Sequence, residues 1–220
     1  MIYFYSGTPG SGKSLHVARD IYWWMRTGGC VIANFEINRD VFLKKSKRKN
    51  KEPKNLNHGT CLYIPNNMLE PKFLTNYARA FFKRDKQGYS QGRIKEEQCL
   101  LVIDECQLIF NARSWNAAGR ELWCSFFTQH RKFGYRIILI SQFDRMVDRQ
   151  IRSLIEYEVV HRKMNNYKTF GKIVGLLYGG SAFMAITHWY QIKGKESVVS
   201  KETFSCKKRY RDFYNSYKIF

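Results

Sequence analysis

The sequence predicts an α/β fold in which helices cover both faces of a central parallel sheet. Short apolar runs alternate along the chain with segments of helical periodicity, which is the order expected when a chain crosses back over a sheet after each strand. The run Cys99–Ile103 is continuously apolar, as a strand buried on both faces must be, and Arg136–Ser141 has a similar apolar centre. The alternation and the two buried runs together favour this fold class.

The elements are expected in a regular order along the chain. The strand Ile2–Tyr5 ends at Ser6-Gly7, and a helix from about Gly12 to Arg26 follows, with apolar residues at helical spacing and Gly28-Gly29 as its stop. The remaining predicted elements are, in order, strands at Cys30–Phe35 and Leu62–Ile64, a helix from Pro71 to about Lys86, a polar segment at 87–98, the strand Cys99–Ile103, a helix at about 119–133 with Leu122, Phe126 and Phe133 on one side, and the strand Arg136–Ser141.

The character of the chain changes near residue 165. Helical periodicity fades there, and β-like and basic stretches continue to Phe220, so we expect a main domain over residues 1–165 and a small β-rich, basic C-terminal extension over residues 166–220. Within the extension, Ile173–Ile192 contains no Asp, Glu, Lys or Arg and is long enough to cross a bilayer. Its second half alternates like a strand and is rich in aromatic residues, so a strand and a membrane span both stay open.

Composition limits the class of protein. The 220 residues are 44% apolar, which is enough for a packed core and argues against disorder. The net charge of +20 favours polyanionic partners, either nucleic acid or an anionic membrane surface. Six cysteines occur without a CxxC pair, so we expect buried thiols in a reducing compartment. The chain runs directly into a strand without a basic leader, so no signal peptide is expected.

Residues Gly7 to Ser14 match the phosphate-binding pattern G-x-x-x-x-G-K-[ST] in full. The glycines let the backbone fold so tightly that successive N–H groups point at phosphate oxygens, and the following helix adds its positive N-terminal end. Lys13 is placed for the β and γ phosphates of ATP, and Ser14 for Mg²⁺. Residues 1–165 are therefore expected to form a P-loop NTPase domain. The predicted nucleotide ligands are Gly7, Thr8, Pro9, Gly10, Ser11, Gly12, Lys13, Ser14 and Leu15.

An acidic pair follows the strand Cys99–Ile103. Asp104 lies at the carboxyl end of this strand, where open α/β sheets place their chemistry, and we expect it to hold Mg²⁺ through water. We expect Glu105 to act as general base on the attacking water. At the end of the next strand, Gln142 is predicted to orient that water beside the γ-phosphate; the alternative is an amide that caps a loop.

Arginines near the same strands are candidates for stabilising the transition state. Arg131 ends the predicted helix before Arg136–Ser141 and is the first candidate for an arginine finger, acting in cis or from a neighbouring subunit, with Arg152 second. Cations are also favoured at the C-terminus of any helix, so a purely structural role stays open for Arg131.

Two basic stretches have no counterpart in the phosphate motif. The segment 44–54 carries seven basic residues and one acid, and we expect it to be a solvated loop. The C-terminal tail combines Lys and Arg with Tyr210, Phe213, Tyr214 and Tyr217. Interleaved charge and rings suit single-stranded nucleic acid, whereas charge alone suits anionic phospholipid. A solvated face, with the tail rings in a strand core, is the third possibility.

Together the motifs resemble the zonula occludens toxin (Zot) domain family, which includes the assembly ATPases of filamentous phages. The resemblance covers most of the chain, and the acidic pair with its following glutamine and the His-Arg-x-x-Gly segment make it specific. It rests on the N-terminal phosphate loop, Val31–Asn34, Val102–Gln107, Arg113, His130–Gly134, Ile137–Gln142, Ile151-Arg152, Glu156–Val160 and Tyr214–Lys218.

The resemblance implies an ATPase motor at the cytoplasmic face of the host inner membrane. Such a motor hydrolyses ATP to extrude single-stranded phage DNA as coat protein replaces its DNA-binding protein, with the phosphate loop and the acidic pair carrying hydrolysis. It also implies a homo-oligomeric ring with Arg131 as a contact in trans, and phage coat and assembly proteins as partners. Members of the family usually continue into a membrane span and a periplasmic part. The chain is therefore expected to be a cytoplasmic fragment, or to attach through a partner or through Ile173–Ile192.

Three other functions fit parts of the pattern. A general nucleic-acid translocase or packaging ATPase of the ring-forming class shares every motif. A small-molecule kinase also begins with a phosphate loop, but it must exclude water, so a hydrolytic Glu105 argues against it. A scaffold that binds nucleotide only as a switch would not need intact Lys13, Asp104 and Glu105.

Overall fold

The computed structural model describes residues 1–44, 54–55, 58–86, 91–114, 118–164, 181–192 and 194–214. The strands are β1 (Ile2–Ser6), β2 (Cys30–Ala33), β3 (Leu43–Lys44), β4 (Lys54–Asn55), β5 (Cys61–Tyr63), β6 (Cys99–Ile103), β7 (Tyr135–Ile140), β8 (Tyr157–Lys163), β9 (Ala182–Trp189) and β10 (Val198–Ser205). The α-helices are α1 (Lys13–Arg26), α2 (Pro71–Phe81), α3 (Arg120–Gln129), α4 (Arg149–Arg152) and α5 (Lys208–Arg211).

The main sheet has the strand order β10-β9-β8-β1-β7-β6-β2-β5. The strands from β8 to β5 run parallel, and β9 and β10 join one edge in antiparallel pairing. From β1 the chain moves to β2 on one side, and it later passes to β8 on the other. A crevice therefore opens at the carboxyl end of β1, where open α/β sheets bind ligands. The predicted fold class, a parallel sheet flanked by helices with a β-rich C-terminal extension, is confirmed.

Two hydrophobic layers cover the faces of the sheet. One lies between the sheet and α1, and it also takes in Phe213 and Tyr214 from the C-terminal segment. The other lies under α2, α3 and α4 and is centred on the rings of Phe110, Trp123 and Phe127. Helices thus lie on both faces, and the rings of the C-terminal segment belong to the core that packs against the main sheet.

The helix α2 ends at Phe81, five residues before the predicted Lys86. Phe82 is already extended, with φ −87° and ψ 145°. The side chain of Gln98 takes over the backbone bonding of Lys83: its Oε1 accepts from the Lys83 N–H at 2.7 Å and its Nε2 donates to the Lys83 carbonyl at 2.9 Å. A long-range side chain therefore satisfies groups that a longer helix would have paired.

The buried side of α3 differs from the prediction. Trp123, Phe126 and Phe127 face the core, at the i, i+3, i+4 spacing of one helix face. Leu122, which was expected on that side, is 62% exposed because it lies one position away from this face. Phe133 follows the helix in a turn and stacks on Phe126 with ring centroids 6.1 Å apart.

The sequence left open whether Ile173–Ile192 is a strand or a membrane span, and the structure describes the second half of this segment. Its alternating second half forms β9, as predicted, and residues 173–180 lie outside the described part of the chain. Because β9 pairs directly with β8, the C-terminal strands continue the sheet of the main domain. A domain boundary near residue 165 stays a prediction. Among the described residues, no helix is long and apolar enough to span a membrane.

The two basic stretches are described in part. Leu43–Lys44 and Lys54–Asn55 pair as antiparallel strands at the two ends of the first stretch, and residues 45–53 lie outside the described part. In the tail, Tyr210, Phe213 and Tyr214 are buried. These three rings are therefore core residues, which decides between the alternatives left open for the tail: they are not stacking platforms for bases. Tyr217 lies outside the described residues.

The cysteines agree only partly with the prediction of buried thiols. All six are free. Cys206 is exposed because it follows β10 beyond the last core residue of that strand. Of the others, three are buried and two are half-buried: Cys61, Cys99, Cys106, Cys30 and Cys124.

Candidate nucleotide-binding site

The phosphate loop leaves the end of β1 and turns into the start of α1. Its glycines Gly7, Gly10 and Gly12 all have positive φ angles, of 139°, 75° and 101°. At two of them a side chain would also collide with neighbours. A Cβ on Gly7 would lie 2.7 Å from the carbonyl oxygen of His161, and one on Gly12 would lie 2.6 Å from the ring of Phe183. The glycine spacing therefore serves both the backbone angle and the close packing of the loop against β8 and β9.

Lys13 folds back over the loop. Its Nζ donates to the carbonyl oxygens of Gly7 at 2.6 Å and Thr8 at 3.3 Å. Burial lowers the pKa of Lys13, and the carboxylates of Asp104 and Glu105 oppose this shift. The ammonium group thus lies within electrostatic reach of both acids, at the mouth of the loop.

The interior of the loop fits a phosphate group. The hydroxyl of Ser11 is buried and has no hydrogen-bond partner among the described groups, and its oxygen would lie 2.7 Å from a Cβ on Gly7. A buried unpaired hydroxyl is unfavourable, so an anion with several acceptor oxygens suits this position. The first N–H groups of α1 add the positive end of a 14-residue helix. Pro9 and Gly10 form the exposed outer part of the loop, and Ser14 and Leu15 begin α1.

Asp104 follows β6, at the same edge of the sheet as the loop. Asp104 is only 6% exposed. Its Oδ1 accepts from the N–H of Glu105 at 2.8 Å, and its Oδ2 accepts from the hydroxyl of Tyr214. Burial raises the pKa of Asp104, and the hydrogen bond from Tyr214 opposes that shift. The carboxylate is therefore fixed in one orientation by two donors.

Asn34 holds the backbone of Asp104 from the neighbouring strand. Its Oδ1 accepts from the Asp104 N–H at 2.8 Å, and its Nδ2 donates to the Asp104 carbonyl at 2.8 Å. The same Nδ2 lies 2.8 Å from Oδ1 of Asn66. These two hydrogen bonds between Asn34 and the Asp104 backbone take the place of strand pairing where β6 ends, and they position the acidic pair.

Glu105 has an unusual backbone. Its φ of 46° and ψ of 47° lie in the left-handed region, which costs a residue with a side chain about 1–2 kcal/mol. The amide Nε2 of Gln107 donates to the Glu105 carboxylate. The sharp turn and this amide together set the direction of the carboxylate, and such strain is common where function depends on position.

Gln142 touches the loop through its backbone. Its carbonyl accepts from the N–H of Gly7 at 3.2 Å, which joins the end of β7 to the start of the loop. Its side chain lines a cavity of ≈ 400 Å³ beside Thr8. The same cavity contains Glu158, whose Oε1 accepts from the hydroxyl of Ser6 at 2.6 Å. Gln142 thus lies beside the loop, and its action on water stays a prediction.

Both arginine candidates are paired with acids of their own subunit. Arg131 lies just before β7, at the edge of the sheet opposite the loop, and its Nη2 pairs with Oε2 of Glu96 at 3.1 Å. The five-residue strand β1 alone separates the two edges by about 15 Å. Arg152 pairs with Asp144 at 3.5 Å. A role for Arg131 in cis is therefore excluded by geometry, and its role in trans stays a prediction.

Several residues at the site were not expected from the sequence. Beside Asn34 and Tyr214, a buried histidine pair supports the loop. His161 Nδ1 donates to the carbonyl of Ser6 at 3.1 Å, and its Nε2 lies 2.8 Å from Nδ1 of His16. Burial, and to a smaller extent the nearby His16, lowers the pKa of His161 to about 3, so this ring is neutral. No sequence signal marks the pair, because its members are 145 residues apart.

The sequence profile of the family described as zonular occludens toxin (Zot) matches residues 1–205. The Gene 1 protein of Enterobacteria phage fd is 28% identical over 219 residues, which cover 98% of this chain and 58% of that protein. The Gene 1 protein of Salmonella phage IKe is 26% identical over 198 residues, covering 87% of this chain and 49% of that protein. The chain thus spans about half the length of these relatives.

A similar fold occurs in the crystal structure of the N-terminal domain of zonular occludens toxin from Neisseria meningitidis. The two chains are 15% identical, with 97% of this chain and 98% of that chain covered, and the TM-score is 0.54. Likeness at this level of identity shows the fold alone. The profile match, by contrast, extends from the phosphate loop to β10 and includes the acidic pair. This chain belongs to the zonular occludens toxin (Zot) family.

Proposed function

We propose that this chain is the ATP-hydrolysing motor of filamentous-phage assembly, which drives extrusion of single-stranded phage DNA through the host inner membrane. One observation carries the proposal: the phosphate loop and the pair Asp104-Glu105 lie at the same edge of the sheet, with Lys13 in electrostatic reach of both carboxylates. Membership of the Zot family and the similarity to the Gene 1 proteins of phages fd and IKe support the phage context.

In this proposal the nucleotide is ATP with Mg²⁺. The loop residues Gly7–Gly12 and Leu15, together with Lys13, bind the phosphates. Ser14 and Asp104 hold the metal ion, with Asp104 acting through water. Bound Mg²⁺ neutralises charge on the phosphate oxygens. The unpaired hydroxyl inside the loop and the crowded glycines support this fit.

Two side chains are proposed to act on the attacking water. Glu105 accepts its proton, and the left-handed turn and the bond from Gln107 keep the carboxylate directed for this task. Gln142 orients the water from the end of β7.

Assembly into a ring is proposed to complete the site. Because Arg131 lies at the edge opposite its own loop, it acts on the loop of a neighbouring subunit in this proposal. Phage coat and assembly proteins, single-stranded DNA or its protein complex, and the anionic surface of the inner membrane are the proposed partners. The net charge of +20 supports the two polyanionic ones. The proposed location is the cytoplasmic face of that membrane.

The test is an ATP turnover assay on the purified chain, with and without single-stranded DNA, alongside nucleotide binding and oligomer mass. Lys13→Ala is expected to weaken nucleotide binding and stop turnover. Glu105→Gln is expected to keep binding and lose turnover. Glu121→Gln, an exposed carboxylate on α3, is the matched control and should behave as wild type. Absence of phosphate release from the wild type would refute hydrolysis, and turnover at the wild-type rate in Glu105→Gln would refute the base.

A further inference from the structure

A second cavity lies at the edge of the sheet opposite the phosphate loop. Its volume is ≈ 860 Å³, and it opens between the end of α2, the chain around Arg93, and the turn that follows α3. Arg131 lines this cavity. The residue predicted as an arginine finger therefore lies away from the phosphate loop of its own subunit.

The lining of this cavity is strongly basic. Of its twelve residues, five are Lys or Arg, against 38 of 220 in the whole chain. These are Arg79, Arg84, Arg93, Arg131 and Lys132. Cations are therefore concentrated here beyond the generally basic composition.

The two acids of the cavity leave most of this charge uncompensated. Glu96 pairs with Arg131 at 3.1 Å, and Asp85 pairs at 3.7 Å with Lys95, which is outside the lining. Within the described part of the chain, Arg79, Arg93 and Lys132 make no ion pair. Three exposed cations thus face one concave space, and like charges that line a cleft attract an anion to it.

Apolar side chains form part of the same wall. Phe133 lines the cavity and is held by stacking on Phe126, with 14° between the ring planes. Ile94 lies beside it. Charge around an aromatic ring suits a chain that alternates phosphates with flat bases, because each base can stack while its phosphates meet guanidinium groups. A phospholipid headgroup offers negative charge but no flat base that could stack on Phe133.

We propose that this cavity binds single-stranded nucleic acid, with Arg79, Arg93 and Lys132 on the phosphates and Phe133 under one base. The inference rests on the proposed function and adds to it the surface that holds the transported strand. Within one subunit the cavity and the phosphate loop occupy opposite edges of the sheet, so nucleic acid and the nucleotide of that subunit do not compete for space. The helix α3 runs between the two regions, from the segment after the acidic pair to the turn that contains Lys132.

The test measures binding of a fluorescent single-stranded oligonucleotide of about 12 nucleotides by anisotropy over a range of salt concentrations. The variant Arg79→Glu, Arg93→Glu, Lys132→Glu should lose most of its affinity. Its slope of log K against log salt should fall by about 2, since each phosphate contact to a single strand contributes about 0.7. Phe133→Leu keeps an apolar side chain and should weaken binding about tenfold with the slope unchanged.

The matched control is Lys201→Glu, Lys207→Glu, Lys208→Glu, which makes the same charge change at exposed positions of β10 and the tail. Wild-type affinity in this control is expected. Loss of binding only in the control, or no binding by the wild type, would overturn the inference. The inference would also be overturned if the cavity variant lost its affinity for anionic vesicles and kept its affinity for the oligonucleotide.

ATP turnover without DNA, measured on the same samples, separates the inference from the proposed function. The cavity variant should hydrolyse ATP at the wild-type basal rate, which also shows that it is folded. If the cavity variant hydrolyses ATP and still binds the oligonucleotide as tightly as the wild type, only the inference is refuted. If the wild type hydrolyses no ATP but binds the oligonucleotide, and the cavity variant does not bind it, only the proposed function is refuted.

Discussion

Replacing Tyr214 by Phe tests the link between the C-terminal segment and the acidic pair. The change removes the hydroxyl that donates to Oδ2 of Asp104 and leaves the ring packed against Phe35, 4.1 Å away between centroids. A hydrogen bond to a charged group contributes about 1.5–3 kcal/mol, and the buried carboxylate oxygen left behind has no other donor described. We expect Tyr214→Phe to destabilise the protein by about 2 kcal/mol at neutral pH.

The effect should depend on pH, with a sign that follows from Asp104. Burial raises the pKa of Asp104 above its usual value of 3.8. An acid with a higher pKa in the folded than in the unfolded state makes stability fall as pH rises between these two values. Loss of the Tyr214 hydroxyl raises the folded pKa of Asp104 further, because that bond stabilises the ionised form. The destabilisation should therefore be larger at neutral pH than at acid pH, where Asp104 is protonated.

Equilibrium urea unfolding at about pH 7 and about pH 4 measures both effects. Tyr210→Phe is the matched control, since among the described residues the Tyr210 hydroxyl accepts only from Nε1 of Trp23, at 3.1 Å, and Trp23 is half-exposed. That control should lose less than about 1 kcal/mol at either pH. Equal losses in the two variants, or a loss in Tyr214→Phe that is the same at both pH values, would refute the reasoning.

Three further outcomes are expected. Gly12→Ala, with φ 101° and its Cβ 2.6 Å from a ring, should cost more stability in urea unfolding than Gly10→Ala, which has open space; equal costs would contradict the packing argument. Asn34→Ala should cost about 3 kcal/mol by the same assay, since it orphans two buried backbone groups; a loss below about 1 kcal/mol would contradict this. Mixing Arg131→Ala with Lys13→Ala subunits should restore part of the ATP turnover, and no recovery would count against the trans role.

Local patterns predicted much of the fold because they act over a few residues. The run Cys99–Ile103 forms β6 with the predicted bounds, since an uninterrupted apolar segment has few alternatives to a buried strand. The helix α2 was predicted too long, because its end depends on Gln98, a side chain distant in sequence. The tail rings show the same limit. Their spacing did not tell core from binding surface, and burial against α1 decided it.

The sequence by itself determined the place of the phosphate loop, because its glycines and lysine stand at a fixed local spacing between a strand and a helix. Only the tertiary structure decided what surrounds it. Tyr214 meets Asp104 across 110 residues, and His161 reaches the loop across 155. Arg131, close in sequence to the site strands, lies at the opposite edge of the sheet because a helix returns the chain before each parallel strand begins. Contacts of this kind follow from strand order, which no local pattern encodes.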